Sequence, residues 1–285
     1  MKTYDVVCAG AAYFDTISLS VAVSPSGRAT IATDQTKGSC GQALSAAIGL
    51  ARVGLRVAFC GVVGDDERGV LVREILQAEG VDTAALRTLP GLATSRYAVD
   101  LGPAAKRRSH RPRYPAPRTE DLREVRGRWL HVDSVGYPPA MAAQTIHTPA
   151  ERAWMSVDAT EPVPALSLAG VNLFVATAPV LTQRYDARSV PAAVTSAAAE
   201  ATGTWTVTTD RSCGWVTQSG KAARCDLDRE ISPRVRTMLP AATLAEVIQG
   251  WDAASALRIA CTTTAGRMLD ALQLPSASTR VAIHV

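Results

Sequence analysis

Three aspartates stand where a carboxylate can do chemistry. Asp133, Asp158 and Asp210 fall in or close the short β-rich runs WLHVDSV (129–135), WMSVDAT (154–160) and TWTVTTD (204–210). Each is expected near the carboxyl end of a strand, the edge at which open α/β sheets bind ligands. A carboxylate there is placed to meet a bound ligand. Cys40 stands in the turn before a helix-like run. A thiol there is either a nucleophile of lowered pKa or, more plainly, a buried and inert group. The other cysteines, at positions 8, 60, 213, 225 and 261, form no C-x-x-C pair, and only four histidines occur, so a zinc site is not expected. No G-x-G-x-x-G follows the first strand, and no G-x-x-x-x-G-K-[ST] or G-x-S-x-G occurs. A nicotinamide-binding Rossmann unit, a P-loop and a hydrolase elbow are therefore set aside.

The elements that must position these residues alternate. YDVVCAG (4–10) reads as a buried strand. TISLSVAV (16–23) and RATIATD (28–34), joined by SPSG, read as an antiparallel hairpin. Residues 38–54 form a helix closed by Gly54, 55–64 a buried strand, and 65–80 an amphipathic helix. That second helix has an acidic first turn, an apolar face of Val70, Val72, Ile75 and Leu76, and Gly80 at its end. Residues 95–101 and the region around 106–114 suggest a second hairpin. Strands follow at 129–135, 154–160, 171–177 and 204–210, and the last helical pair covers 241–250 and 252–272. This rhythm predicts one doubly wound α/β domain with a small β excursion. Cys8 and Cys60, inside strand runs, are expected to be small buried hydrophobes in a reducing compartment.

With 285 residues, 47% hydrophobic and 20% charged, the chain can bury a sizeable core and is not disordered overall. No apolar run is long enough for a membrane span, and the N-terminus lacks a secretory h-region, so a cytoplasmic protein with no membrane partner is expected. The net charge of +4 is mild. The basic cluster Lys106, Arg107, Arg108, Arg111, Arg113 and Arg118 is broken by prolines and followed by acids. It reads as a solvated loop or substrate-side rim, so no nucleic-acid partner is expected.

Residues 38–85 strongly resemble the PfkB (ribokinase-like) carbohydrate kinases. The resemblance rests on GQALSAAIGLARVGLRVAFCGVVGDDERGVLVREILQAEGVDTAAL, with Gly61, Val63, Gly64, Asp65, Asp66 and Gly69 in the family spacing. The opening strand with Gly10 and Asp15 matches as well, as do ATSRYAVDL (93–101) and, more weakly, segments to residue 265. The resemblance implies a ribokinase-like α/β fold over 1–285: a central, mostly parallel sheet between helices. It also implies a small β-sheet lid, here from about 16–35 and 95–114, and a homodimer through the lids.

The implied chemistry is transfer of the ATP γ-phosphate to a sugar or nucleoside hydroxyl. Asp15 matches the substrate-hydroxyl acceptor, and Gly41 and Ser45 fall on other substrate positions, the latter on a family Asn. Cys40 replaces a family Gly. The magnesium-organising Asn-x-x-Glu falls on Thr177-Ala178-Pro179-Val180. The nucleotide loop reads Thr209-Asp210-Arg211-Ser212-Cys213-Gly214, with Arg211 in place of Gly. The Gly-rich anion hole and base fall on Ile231–Thr237, with Thr237 at the base position and Arg234 and Arg236 as candidate cationic replacements. These departures imply a homologue that has lost ordinary phosphotransfer and binds a sugar-like, nucleoside or phosphorylated ligand, or runs a diverged reaction. The alternative is a working carbohydrate or nucleoside kinase with Asp133, Asp158 or Asp210 as its base. Mg·ATP is a cofactor only under that alternative.

Overall fold

In the computed structural model the described residues are 3–18, 21–23, 29–31, 41–100, 114–144, 152–209, 213–218, 220–227 and 231–270. The strands are β1 (Thr3–Ala9), β2 (Phe14–Ser18), β3 (Val21–Val23), β4 (Ala29–Ile31), β5 (Val57–Gly64), β6 (Leu86–Leu89), β7 (Arg96–Asp100), β8 (Arg126–Val132), β9 (Trp154–Ala159), β10 (Leu173–Thr177), β11 (Trp205–Thr209), β12 (Cys213–Gln218) and β13 (Lys221–Asp226). The helices are α1 (Gln42–Arg52), α2 (Glu67–Ala78), α3 (Thr119–Glu124), α4 (Tyr137–Gln144), α5 (Ala178–Arg184), α6 (Val190–Glu200), α7 (Pro233–Ile248), α8 (Ala253–Ile259) and α9 (Ala265–Asp270), the last two joined by a π-helical turn (Ala260–Thr264).

Nine strands form one sheet in the order β13-β12-β11-β10-β9-β8-β1-β5-β6. From β11 to β6 every neighbour is parallel, and β12 and β13 add an antiparallel hairpin at one edge. The central strands are apolar because both faces are covered. Val6, Cys8, Phe59, Leu173 and Val207 pack under α1, α2, α7, α8 and α9 on one face. Val7, Ala9, Leu130, Val132 and Phe174 pack under α3, α4, α5 and α6 on the other. Cys8 and Cys60 are buried free thiols, as expected, and burial pushes Cys60 up to about 12. No helix among the described residues is long and apolar enough to cross a membrane.

Three expectations are corrected, and one hairpin is added. The run 16–23 is not one arm of a hairpin. Val21–Val23 does pair antiparallel with Ala29–Ile31, but β2 leaves to pair in parallel with β7, Ile17 opposite Val99. Alternation marks a strand without naming its partner. In α2, Val70 is 54% exposed while Val72 and Leu76 are buried. Residue 70 lies two positions, about 200°, around the helix from 72. Helix α7 begins at Pro233, not 241, so most of the stretch Ile231–Thr237 is helical. Ser232 caps it, and Pro233 fits the first turn, where a missing N–H costs nothing. The β12–β13 hairpin was not foreseen, although the Ser-Gly dipeptide before Lys221 signals its turn and Gly220 adopts φ +74°. The segments 32–40 and 101–113, with Cys40 and most of the basic cluster, lie outside the described residues, as does Asp210.

Candidate active site

Strand β1 is the point of divergence. From it the chain winds through β5 and β6 to one side, then returns through β8, β9, β10 and β11 on the other. The connections part between β1 and β8, which makes the carboxyl ends of those strands the switch point at which open α/β sheets bind ligands. Two of the three aspartates stand there. Val132 of β8 is in register with Val157 of β9, so Asp133 and Asp158 follow side by side on adjacent strands, about 4.8 Å apart along the hydrogen-bonding direction. Both are buried.

Their environments differ. Asp133 accepts four backbone N–H groups: Oδ2 takes those of Ala11 (3.0 Å) and Ala43 (3.5 Å), and Oδ1 takes those of Val135 and Gly136 (2.9 Å each). The Ala43 donor belongs to the first turn of α1, so Asp133 also faces that helix's positive end. Burial raises its pKa and the four N–H groups oppose the rise. With both oxygens accepting twice, the geometry is that of a carboxylate. Two glycines permit it. A Cβ on Gly10 would lie 2.2 Å from Asp133 Oδ2. Gly41, at the N-cap of α1, has φ +100°, and a Cβ there would lie 2.1 Å from the Ala11 carbonyl oxygen.

Asp158 accepts only through Oδ1, from the Thr160 N–H (2.9 Å) and hydroxyl (2.8 Å). Gln42, at the start of α1, donates its amide to the same Thr160 oxygen. Burial pushes Asp158 up to about 7, against the Thr160 hydrogen bonds and with help from Asp133 and Glu161. If the pair holds one proton, Asp158 Oδ2 is its place, since every oxygen position on Asp133 is already an acceptor.

Beneath the carboxyl pair the same face of β8 and β9 carries two more cross-strand pairs. His131 Nδ1 lies 3.1 Å from Ser156 Oγ, and Trp129 meets Trp154 edge-on at 5.2 Å. His131 is fully buried, its Nε2 has no partner, and burial lowers its pKa to about 4, so it is neutral. The sequence singled out none of Gln42, Thr160, His131 or Ser156. Strand register places His131 and Ser156 beneath the aspartates, while the start of α1 and the turn after β9 bring Gln42 and Thr160 to Asp158.

The other expected residues distribute as follows. Asp15 lies on β2, opposite Tyr97 of β7; its side chain is outside the described residues. Gly41 is at the switch point, and Ser45, one turn into α1, hydrogen-bonds its N–H to the Gly41 carbonyl at 2.9 Å. Thr209 is buried at the end of β11, in register with Thr177 and Gly214. Gly214 has a packing reason: a Cβ there would lie 2.3 Å from Leu257 Cδ2. Thr177 caps α5 without a side-chain hydrogen bond, and the next three residues supply no carboxylate. At α7, Ser232 Oγ accepts the Val235 N–H at 3.3 Å, so the helix caps itself. Arg236 turns back on the Ile231 carbonyl at 3.5 Å, and Thr237 is exposed. Arg234 lies on α7 with its side chain outside the described residues. A magnesium–phosphate group asks for oxygen ligands and free N–H donors; the first turn of α5 carries no carboxylate, and at α7 the Val235 N–H is already taken by Ser232.

Residues 3–113 match the family model described as pfkB family carbohydrate kinase. A fructokinase of Escherichia coli is 34% identical over 122 residues, which cover 41% of this chain and 38% of that protein. The chain thus aligns with well under half the length of this curated relative. Solved structures align almost end to end. A PfkB protein from Polaromonas sp. JS666 has a TM-score of 0.70 at 16% identity, covering 96% of this chain and 97% of that one. Adenosine kinase from Sinorhizobium meliloti has a TM-score of 0.69 at 15% identity, covering 98% and 97%. Aminoimidazole riboside kinase from Salmonella enterica has a TM-score of 0.69 at 16% identity, covering 97% and 95%.

Proposed function

We propose, from the premise that this chain is a PfkB-family relative with the ribokinase-like fold, that it binds a sugar- or nucleoside-like ligand and has lost ordinary Mg·ATP phosphotransfer. The observation that carries the reading is the start of α7. A proline and a self-capping serine stand where the resemblance asks for a glycine cradle, and Thr237 stands where it asks for an acid. The ligand site we assign is the switch point beyond β1 and β8, with Gly41 and Ser45 at its edge and Asp15 on β2 as hydroxyl acceptor. A carboxylate accepts hydrogen bonds from two adjacent hydroxyls, so Asp15→Ala should weaken binding. The strand pairs β2–β7 and β3–β4 support a lid over this site.

The test is a panel of sugars and nucleosides with Mg·ATP, followed by coupled ADP release, with calorimetry for nucleotide and for sugar. Loss of a general base costs about 10²–10⁴-fold and loss of one oxyanion donor about 10²–10³-fold. Turnover is therefore expected to be undetectable or far below the roughly 1–100 s⁻¹ of kinases. Turnover near 1 s⁻¹ overturns the reading. One observation favours a second: Asp158, near neutral pKa with an uncommitted oxygen, is suited to take a proton from a ligand hydroxyl. In that case activity should rise with pH through about 7 and vanish in Asp158→Asn, whereas a silent site shows no such profile.

A further inference from the structure

At the opposite edge of the sheet, the amino ends of β1, β8 and β9 meet α3 and α4 around a cavity of about 230 Å³. It lies toward the other end of β8: along that strand, at about 3.3 Å per residue, its lining runs from roughly 10 Å (Leu130) to roughly 23 Å (Arg126) from Asp133. Val7, Leu122 and Leu130 give it apolar walls. Arg123, Arg126 and Arg128 also line it, and no carboxylate stands among its described lining residues.

Arg123 is the informative side chain. Its Nε is buried with no acceptor. Three other described arginines share that trait, but each has another hold: Arg184 on Glu200, Arg87 near Asp121, Arg236 on the Ile231 carbonyl. Arg123 has no partner among the described residues. The half-buried Arg123 leaves its Nε–H out of water without an acceptor, which is costly, and the exposed Arg126 and Arg128 add like charge nearby. An oxyanion relieves both, because the guanidinium fork matches carboxylate and phosphate two-pronged.

We propose that this cavity is a second ligand site, for a small organic oxyanion: a phosphate monoester or carboxylate with a compact apolar body. The size argues for a small molecule. The cavity volume of about 230 Å³ lies below the roughly 300–1,000 Å³ of pockets that take drug-sized ligands. This site is independent of the switch point and of the activity proposed there.

The experiment titrates the full chain with phenyl phosphate, benzoate and inorganic phosphate. It reads heat and the fluorescence of Trp129, which lines the cavity. Saturable binding tighter than about 1 mM is expected for at least one of the two organic anions, with inorganic phosphate weaker for want of an apolar body. The better organic probe identifies the head group. Arg123→Gln should weaken binding by about 10-fold or more, the worth of a charge-assisted hydrogen bond, and Arg123→Lys by less. Since Arg123 holds nothing else in place, its melting temperature should not fall. Should that variant fail to fold, the claim that Arg123 is uncommitted is wrong, and the exposed double change Arg126→Gln/Arg128→Gln carries the affinity test. No saturation by about 10 mM with any probe, or affinity unchanged by these substitutions, overturns the proposal.

Discussion

The two neighbouring aspartates make opposite demands on their surroundings. Asp133→Asn places an NH₂ group against backbone N–H donors that have no other acceptor. We expect a loss of about 2–4 kcal/mol in urea melts, from one lost buried charge interaction and the donors it strands. Asp158→Asn keeps the shape of a protonated acid. Because the folded pKa of Asp158 is about 7, above its unfolded value, folding favours the proton, and native stability declines as pH rises from about 4 to 7. The Asn variant should therefore gain on the wild type across that window. His131 works the other way. Its folded pKa of about 4 lies below the unfolded value of about 6.5. Stability is complete above 6.5 and is lost as pH falls toward 4, by on the order of 3 kcal/mol. A His131→Asn variant, keeping a polar atom toward Ser156, should lose that acid slope. Urea midpoints at half-unit pH steps separate the two effects, and parallel curves for wild type and variant would contradict either assignment.

The elements differ in how plainly the sequence declares them. The strand ends bearing Asp133 and Asp158, helix α1 with Gly54 behind it, and α2 with its acidic cap are local patterns and could be read directly. The β2–β7 pairing could not, because it joins segments some 80 residues apart and no residue type encodes a partner. Nor could the start of α7: a Pro-rich, Arg-rich stretch reads as loop until the cap and the buried apolar face are seen together. The start of α7 and the contact of β12 with α8 each support a prediction. Ser232→Ala removes the side-chain acceptor for the Val235 N–H and should cost about 1 kcal/mol. Gly214→Ala drives a methyl against Leu257, which is fully buried. It should lower thermal stability by about 1–3 kcal/mol. A neutral outcome would mean that Leu257 has room to turn, and would return Gly214 to the nucleotide-loop role that the resemblance implied.

The molecule as a whole has the sheet of the solved structures it aligns with, while the residues at the starts of α5 and α7 depart from the pattern that the resemblance implies. The family likeness was legible because it is concentrated before residue 113, where packing glycines and cap residues fix the fold. The columns of paired side chains across β8 and β9 were not, since they depend on register alone. We propose that lids from two chains pair and that the protein works in the cytoplasm, in keeping with its free buried thiols. Isolated two-stranded ribbons leave faces and edges that a second copy covers. Light scattering at micromolar concentration is expected to give twice the chain mass, and a single-chain mass excludes the dimer. One of the columns has an optical consequence. Two indoles held edge-on at 5.2 Å couple their electronic transitions and should give a paired positive and negative circular-dichroism band. A one-residue slip of β9 would send Trp154 to the other face and extinguish it. The couplet is thus a direct readout of the alignment that sets Asp133 beside Asp158, available before any ligand is known.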